Sequence, residues 1–304
     1  MNAVSIKNIK KSYDTGKVQA LEGISFEVEP GELFGLIGPD GAGKTTLFRI
    51  LTTLIVPDSG SATVLGYDVV KDYKSIRQRV GYMPGRFSLY QDLSVEENLE
   101  FFATVFNTTV EANYNLIKDI YIQIEPFKKR KAGKLSGGMK QKLALCCALI
   151  HKPDILFLDE PTTGVDAVSR KEFWDMLQGL KAQGITMLVS TPYMDEASLC
   201  DRVALIQKGE IMEVDTPQQV IKNYKKPLWA VRSDDMYQLL KDLRAYNQTD
   251  TCYAFGDTHH LTLKNDNNSA DDVKSYLQKQ QHHHVEVNEI EPNIEDCFMA
   301  LMKV

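Results

Sequence analysis

Gly38-Pro39-Asp40-Gly41-Ala42-Gly43-Lys44-Thr45-Thr46 satisfies the pattern GxxxxGK[ST], and its flanks decide what the pattern means. Leu33-Phe34-Gly35-Leu36-Ile37 before it is an unbroken apolar run, as expected of a strand buried on both faces. After it, Leu47, Ile50, Leu51 and Leu54 recur at helical spacing. A strand, a glycine-rich loop and a helix N-terminus in that order form an anion site, because free backbone N–H groups converge there and the helix dipole favours negative charge. Lys44 is then expected beside β- and γ-phosphates, with Thr45 offering its hydroxyl to Mg²⁺. The implied ligand is a nucleoside triphosphate.

The 304 residues are enough for two domains, one of them large enough for a full α/β core. A formal charge of -6 argues against a general nucleic-acid binder. No apolar run reaches the roughly 18 residues of a membrane span, and Met1 to Tyr13 lacks the apolar core of a signal peptide, so membrane association is expected only through a partner. Cys146, Cys147, Cys200, Cys252 and Cys297 show no CxxC spacing and read as buried thiols in a reducing compartment.

Outward from the loop, Ala3 to Ile9 and Leu21 to Val28 alternate apolar and polar residues and read as antiparallel strands, with Tyr13 near the turn between them. Tyr13 either stacks on an adenine face or covers apolar surface. Ser94 and Glu97 have capping-box spacing, and the stretch from about Asp92 to Lys134 reads as helical. Its rings, Phe101, Phe102, Phe106 and Tyr121, read mostly as core, although a ring cluster beside an exposed loop also suits a docking surface. Lys128 to Lys131 and Lys134 read as a solvated basic face.

Two more stretches carry chemistry. Ser136-Gly137-Gly138 precedes a helix marked by Met139, Leu143 and Ile150, and is either a second phosphate site or a capped helix start. Ile155-Leu156-Phe157-Leu158-Asp159-Glu160 is a buried strand ending in two acids; Asp159 suits a Mg²⁺ shell, and Glu160 suits orienting or deprotonating an attacking water. Thr162 to Asp166 reads as a turn, Thr186 to Ser190 as another buried strand, and the segments around Lys208-Gly209 as a hairpin.

From about Val4 to Tyr224 the sequence resembles the ATP-binding subunit of an ABC transporter, on GPDGAGKTT, LSGGMKQ (Leu135 to Gln141), ILFLDEP and the turn Gly164-Val165-Asp166. YMDEA (Tyr193 to Ala197) and GYMP…LYQDLSVEENL are similar to the subfamily serving exporters. The resemblance implies an α/β P-loop NTPase core with a helical subdomain over about 86–150, an antiparallel β subdomain, and ATP with Mg²⁺ as cofactors. It implies a head-to-tail dimer in which ATP lies between one subunit's phosphate loop and the other's Ser136-Gly137-Gly138, with Asp166 in the nucleotide contacts and Tyr13 against adenine. Gly85 through Phe106 becomes the expected dock for a polytopic membrane subunit, and the expected location is cytoplasmic, peripheral on the inner face of the cell membrane. An ATP-dependent binding module with little hydrolysis, or a non-transport ABC ATPase, is the competing class.

Two positions depart from the family pattern: Gly85 stands where a glutamine is usual, and Pro192 where a histidine is usual. Neither offers a side-chain donor, and Asp40 adds an unusual charge to the loop. An impaired site on this chain's own loop is expected, completed by a second ABC ATPase subunit, a different chain in preference to another copy. Residues 225–304 read as βαββαβα, a small α/β domain, with His282-His283-His284 as a solvated strand start.

Overall fold

Strands β1 (Val4–Tyr13) and β2 (Val18–Val28) alternate buried and exposed residues and pair antiparallel, with Val4 opposite Val28 and Tyr13 opposite Val18. The computed structural model describes residues 2–265 and 269–302, and divides into the units Met1–Gln218 and Gln219–Val304. Strand β3 (Leu33–Ile37) is buried along its whole length and runs through the glycine loop into helix α1 (Lys44–Leu51). Strands β4 (Ser59–Val64) and β5 (Tyr67–Asp68) complete a four-stranded antiparallel sheet in the order β2-β1-β4-β5. Helix α2 (Tyr73–Arg79) then leads into β6 (Val80–Met83).

The aromatic-rich stretch is not one helix. It breaks into α3 (Val95–Val105), α4 (Tyr114–Tyr121) and short 3-10 turns at Glu111–Asn113, Glu125–Phe127 and Ala132–Lys134. Ser94 caps α3 as its spacing predicts: its hydroxyl accepts from the Glu97 N–H, and the Glu97 carboxylate accepts from the Ser94 N–H. Asn98, fully buried on α3, accepts from the Tyr90 N–H at 3.0 Å and donates to the carbonyls of Tyr90 at 3.0 Å and Ser94 at 2.9 Å. The rings divide differently from the core reading. Tyr121 is buried, Phe102 and Phe106 are half-buried, and Phe101 is exposed. The basic run is exposed, as expected of a solvated face.

Helix α5 (Gly137–Leu149) packs on α3 and α4 and precedes β7 (Ile155–Asp159). Helix α6 (Ala167–Ala182), β8 (Thr186–Thr191), β9 (Arg202–Gln207), β10 (Glu210–Asp215) and α7 (Pro217–Lys222) follow. The central sheet runs β10-β9-β3-β8-β7-β6, parallel except for the β9–β10 hairpin. Parallel strands covered on both faces explain the unbroken apolar runs at β3 and β7.

The second unit holds β11 (Leu228–Arg232), α8 (Met236–Ala245), β12 (Thr249–Phe255), β13 (Thr258–Leu263), α9 (Ala270–Lys279), β14 (Glu286–Ile290) and α10 (Ile294–Leu301). Its sheet order is β12-β13-β11-β14, and Val231, Leu239, Leu261, Val273 and Leu277 form its core. The histidine triplet lies before β14, outside the strand, and His282 is not solvated. It is buried, with Nδ1 at 3.2 Å from the Ser233 hydroxyl and Nε2 at 2.9 Å from Asp242. All five cysteines are buried thiols. Among the described residues no helix is long and apolar enough to cross a membrane.

Each unit has its own core, and the division falls within α7, whose Val220 is buried. A fragment ending at Tyr224 keeps that helix whole and is expected to fold and to bind ATP within about threefold of the full chain. Circular dichroism and calorimetry check this; a folded fragment that no longer binds would contradict it.

Candidate active site

The glycine loop is shaped by what it touches. A Cβ on Gly38 would lie 2.1 Å from the Ile206 carbonyl, and one on Gly43, at φ 108°, would lie 2.4 Å from the Ala20 carbonyl. No larger residue fits either position, so the loop is pressed between β2 and β9 and opens at α1. Gly43 is the N-cap of α1 and supplies no side-chain cap, which leaves the N–H groups of the first turn, Lys44 to Thr46, directed into the loop. The Lys44 ammonium donates to the carbonyls of Gly38 at 2.8 Å and Pro39 at 3.0 Å and lies 3.0 Å from Glu160 Oε1. Pro39 also accepts from the Ala42 N–H at 3.2 Å, while Asp40 and Gly41 form the exposed tip.

Strand β7 brings the two acids to this loop. Asp159 is 2 % exposed, accepts from the Ser190 hydroxyl at 2.6 Å and is hydrogen-bonded by Thr45. Burial raises its carboxyl above the ordinary aspartate range, against the opposing effect of Ser190, Thr45 and Lys44. Glu160 adopts a left-handed backbone, φ 51°, which costs a non-glycine residue about 1–2 kcal/mol. Its N–H donates to Ser190 Oγ and to the Ser190 carbonyl, each at 3.0 Å, and these bonds hold the turn. Thr45 and Asp159 together are a hard-oxygen donor pair beside the phosphate cradle, which suits Mg²⁺.

The other predicted residues fall around this centre. The Tyr13 hydroxyl is 3.4 Å from Thr46 Oγ1, and its ring is 37 % exposed at the edge of the loop. A Cβ on Gly85 would meet the Asp159 carbonyl at 3.0 Å and Glu160 Cβ at 3.7 Å, so this glycine stands directly beside the acid turn. Pro192 follows the last residue of β8. Ser136 caps α5, its hydroxyl accepting from the Met139 N–H at 3.3 Å; a Cβ on Gly138 would meet Ser169 Oγ at 2.7 Å, and one on Gly137 would lie 3.7 Å from the Gly164 carbonyl. This second glycine surface is thus built against α6 and the turn before it. Asp166 caps α6, accepting from the Ser169 N–H at 3.0 Å, and that bond lowers its carboxyl pKa.

Sequence reasoning missed Ser190, which joins both acids. The available signal was a polar residue near the end of an otherwise apolar buried strand. It also missed the buried carboxylate of Glu196 and its partners Thr162 and Thr191.

A parallel strand, a glycine cradle on a helix N-terminus and a buried acid at the end of a second parallel strand, one strand removed, define a P-loop nucleotide-binding protein. Residues 21–163 match the ABC transporter family. Nod factor export ATP-binding protein I of Burkholderia pseudomallei (strain 1710b) is 40% identical over 222 residues, 72% of this chain and 72% of that protein. The chain belongs to the ABC transporter family, among its ATP-binding proteins. The probable multidrug ABC transporter ATP-binding protein YbhF of Escherichia coli (strain K12) is 36% identical over 303 residues, which is 98% of this chain and 52% of that protein, so the chain spans about half that relative's length. Among solved structures, a dimeric post-hydrolysis state of the ATP-binding cassette MJ0796 bound to ADP and Pi aligns at TM-score 0.63 and 25% identity, over 70% of this chain and 98% of that one.

Replacing Lys44 by alanine leaves two loop carbonyls and Glu160 without their cation and removes a positive charge from the N-terminus of α1. ATP affinity is expected to fall by at least about 100-fold with the far-ultraviolet dichroism unchanged, as calorimetry and circular dichroism will report. Asp159→Asn removes a carboxylate whose charging opposes folding. Because the folded pKa is raised, that opposition is full at pH above the raised value and disappears as the pH falls to the ordinary aspartate value. The melting temperature of Asp159→Asn without nucleotide at pH 7 is therefore expected to hold or rise, by about 2–4 °C for each kcal/mol relieved, while Mg²⁺-dependent ATP binding is lost. A lower melting temperature would show that the carboxylate stabilises the fold.

Proposed function

We propose that this chain is the ATP-hydrolysing subunit of an export system, working on ATP with Mg²⁺ and driving a separate polytopic membrane subunit by dimer closure. The observation that carries the reading is the meeting of Lys44, Thr45, Asp159 and Glu160 at the N-terminus of α1. Mg²⁺, when bound, would supply positive charge to offset the phosphates. Thr45 and Asp159 would hold it, and Tyr13 would cover the base. A γ-phosphate competes with Glu160 for the Lys44 ammonium, so nucleotide entry frees the carboxylate to orient and deprotonate the attacking water. Hydrolysis is thereby linked to correct seating of the triphosphate.

The membrane partner has a suitable seat. An apolar cleft of about 410 Å³ is walled by Met83, Pro84, Leu89, Phe102, Phe106 and His151, and the Phe106 ring stacks on His151 at 3.7 Å. It is bounded by the segment that begins at Gly85, so a helix end from a membrane subunit seated there lies one strand end from the acid turn. Such a partner places the chain at the inner face of the cell membrane.

Gly85 and Pro192 weaken the site on this chain's own loop, because neither can orient water or contact the γ-phosphate. Ser136-Gly137-Gly138 stays intact for ATP held by a partner, which makes a heterodimer with a competent ATPase subunit the functional unit. Losing a water-orienting or proton-transfer group costs about 10²–10⁴ in rate. The chain alone is expected to bind ATP and turn it over slowly, and Gly85→Gln with Pro192→His to raise that rate at least about tenfold. The glutamine side chain introduced by Gly85→Gln has to displace its neighbours slightly, given the 3.0 Å approach to the Asp159 carbonyl. In a reconstituted pair, Ser136→Arg on this chain should suppress the partner's turnover. Steady-state phosphate release tests all three; rapid turnover by the unmodified chain alone would refute the impaired-site reading.

A further inference from the structure

Glu196 is a carboxylate 2 % exposed, on the 3-10 turn Met194–Leu199 that follows β8. Its Oε1 accepts from the Thr162 hydroxyl at 2.8 Å and its Oε2 from the Thr191 hydroxyl at 2.5 Å. Both threonines are buried, Thr162 at 1 % and Thr191 at 0 % exposure. Arg170, in the first turn of α6, brings Nε to 3.8 Å from Glu196 Oε1, donates to Asp195 at 3.0 Å and lies over the Tyr193 ring at 4.7 Å. The Tyr193 N–H in turn donates to Thr191 Oγ1 at 3.0 Å.

A charge at this depth costs several kcal/mol to desolvate unless it is paired and hydrogen-bonded, and an apolar side chain would fill the space at lower cost. What the carboxylate adds is a fixed geometry between three segments. Thr162 stands two residues beyond Glu160, and its carbonyl accepts the Val165 N–H at 3.2 Å. Thr191 stands immediately before Pro192. Arg170 belongs to the helix capped by Asp166. On the other side of the same turn, Ser190 ties β8 to Asp159 and to the Glu160 N–H. The acid turn is therefore pinned from both sides, and the Glu196 side also ties it to Thr191, beside Pro192, and to Arg170 of α6.

We propose that Glu196 is a positioning residue for ATP hydrolysis, fixing the Glu160 turn through Thr162 and the Pro192 strand end through Thr191. Glu196 touches neither nucleotide nor water in this role. It acts on the placement of the Glu160 carboxylate, where a 1 Å displacement is enough to cost about 10²-fold in rate. Pairing with Ile37 and the Gly38 N–H bond to the Thr191 carbonyl at 3.2 Å hold the backbone of this strand end, and the Thr191–Glu196 bond adds the side-chain tie from it to the Glu160 turn. The inference rests on the ATPase reading above.

The test uses the full-length chain and single-turnover cleavage of bound ATP, with ATP affinity and melting temperature measured alongside. Glu196→Ala and Thr162→Val are each expected to slow cleavage by about 10- to 100-fold with ATP affinity changed less than about threefold. The double variant should be no slower than the worse single one, as for residues that act as a unit. Thr162→Ser, which keeps the hydroxyl, should cleave within about threefold of the unmodified chain. If Glu196→Ala does not fold, the contrast between Thr162→Val and Thr162→Ser decides alone. Equal cleavage by Thr162→Val and the unmodified chain overturns the proposal, as does a fall in ATP affinity that accounts for the slower rate. Should the unmodified chain and the Gly85→Gln, Pro192→His chain both bind ATP without cleaving it, the ATPase reading fails and the proposal fails with it.

Discussion

The buried ammonium group of Lys44 sets the conditions for the rest of the first unit. Only 3 % of this residue is exposed, and two carbonyls and a carboxylate surround its side-chain nitrogen. Each of those acceptors has its own requirement. The carbonyl of Gly38 is in reach because the loop lies against Ile206 and Ala20 at distances that exclude a Cβ. The carboxylate of Glu160 is in reach because β7 ends in a left-handed turn held by Ser190. Four adjacent parallel strands, β9, β3, β8 and β7, fix the heights of these ends relative to one another.

The same strands show how stability and function divide along one element. Residues 155–158 of β7 are apolar and buried, and they stabilise the sheet. Asp159 continues the strand at nearly the same depth, and its raised pKa records an electrostatic cost that the fold does not need. On β8 the change comes at Ser190 and Thr191, both fully buried and both hydrogen-bonded to acids. Polar groups at buried strand ends are tolerated where every one finds a partner, and here the partners are the acids of the site.

Much of this was legible in the sequence because it depends on local pattern. GxxxxGK[ST] between a five-residue apolar strand and an amphipathic helix specifies its own geometry, as does the Ser94–Glu97 capping box. The βαββαβα order of the second unit followed from periodicity in the same way. What escaped depends on distant residues. Ser190 lies 31 positions from Asp159, and Thr162 lies 34 from Glu196, so nothing in either neighbourhood announces the pair. His282 was misread because its partners, Asp242 and Ser233, are brought to it only by the fold of the second unit. The rings of α3 were read as core because helical periodicity distinguishes an apolar face from a polar one, but not a face covered by the chain from one left open.

Asn98 shows how that open face is kept in shape. Its amide bonds to Tyr90 and Ser94 hold the loop before α3 against the helix, beside the apolar cleft. The conformational entropy of ordering that rim, about 1–2 kcal/mol per backbone residue, is lost when the chain folds and is not lost again when a partner arrives. An occupant of the cleft would therefore give up less of its binding free energy to ordering the wall that it meets.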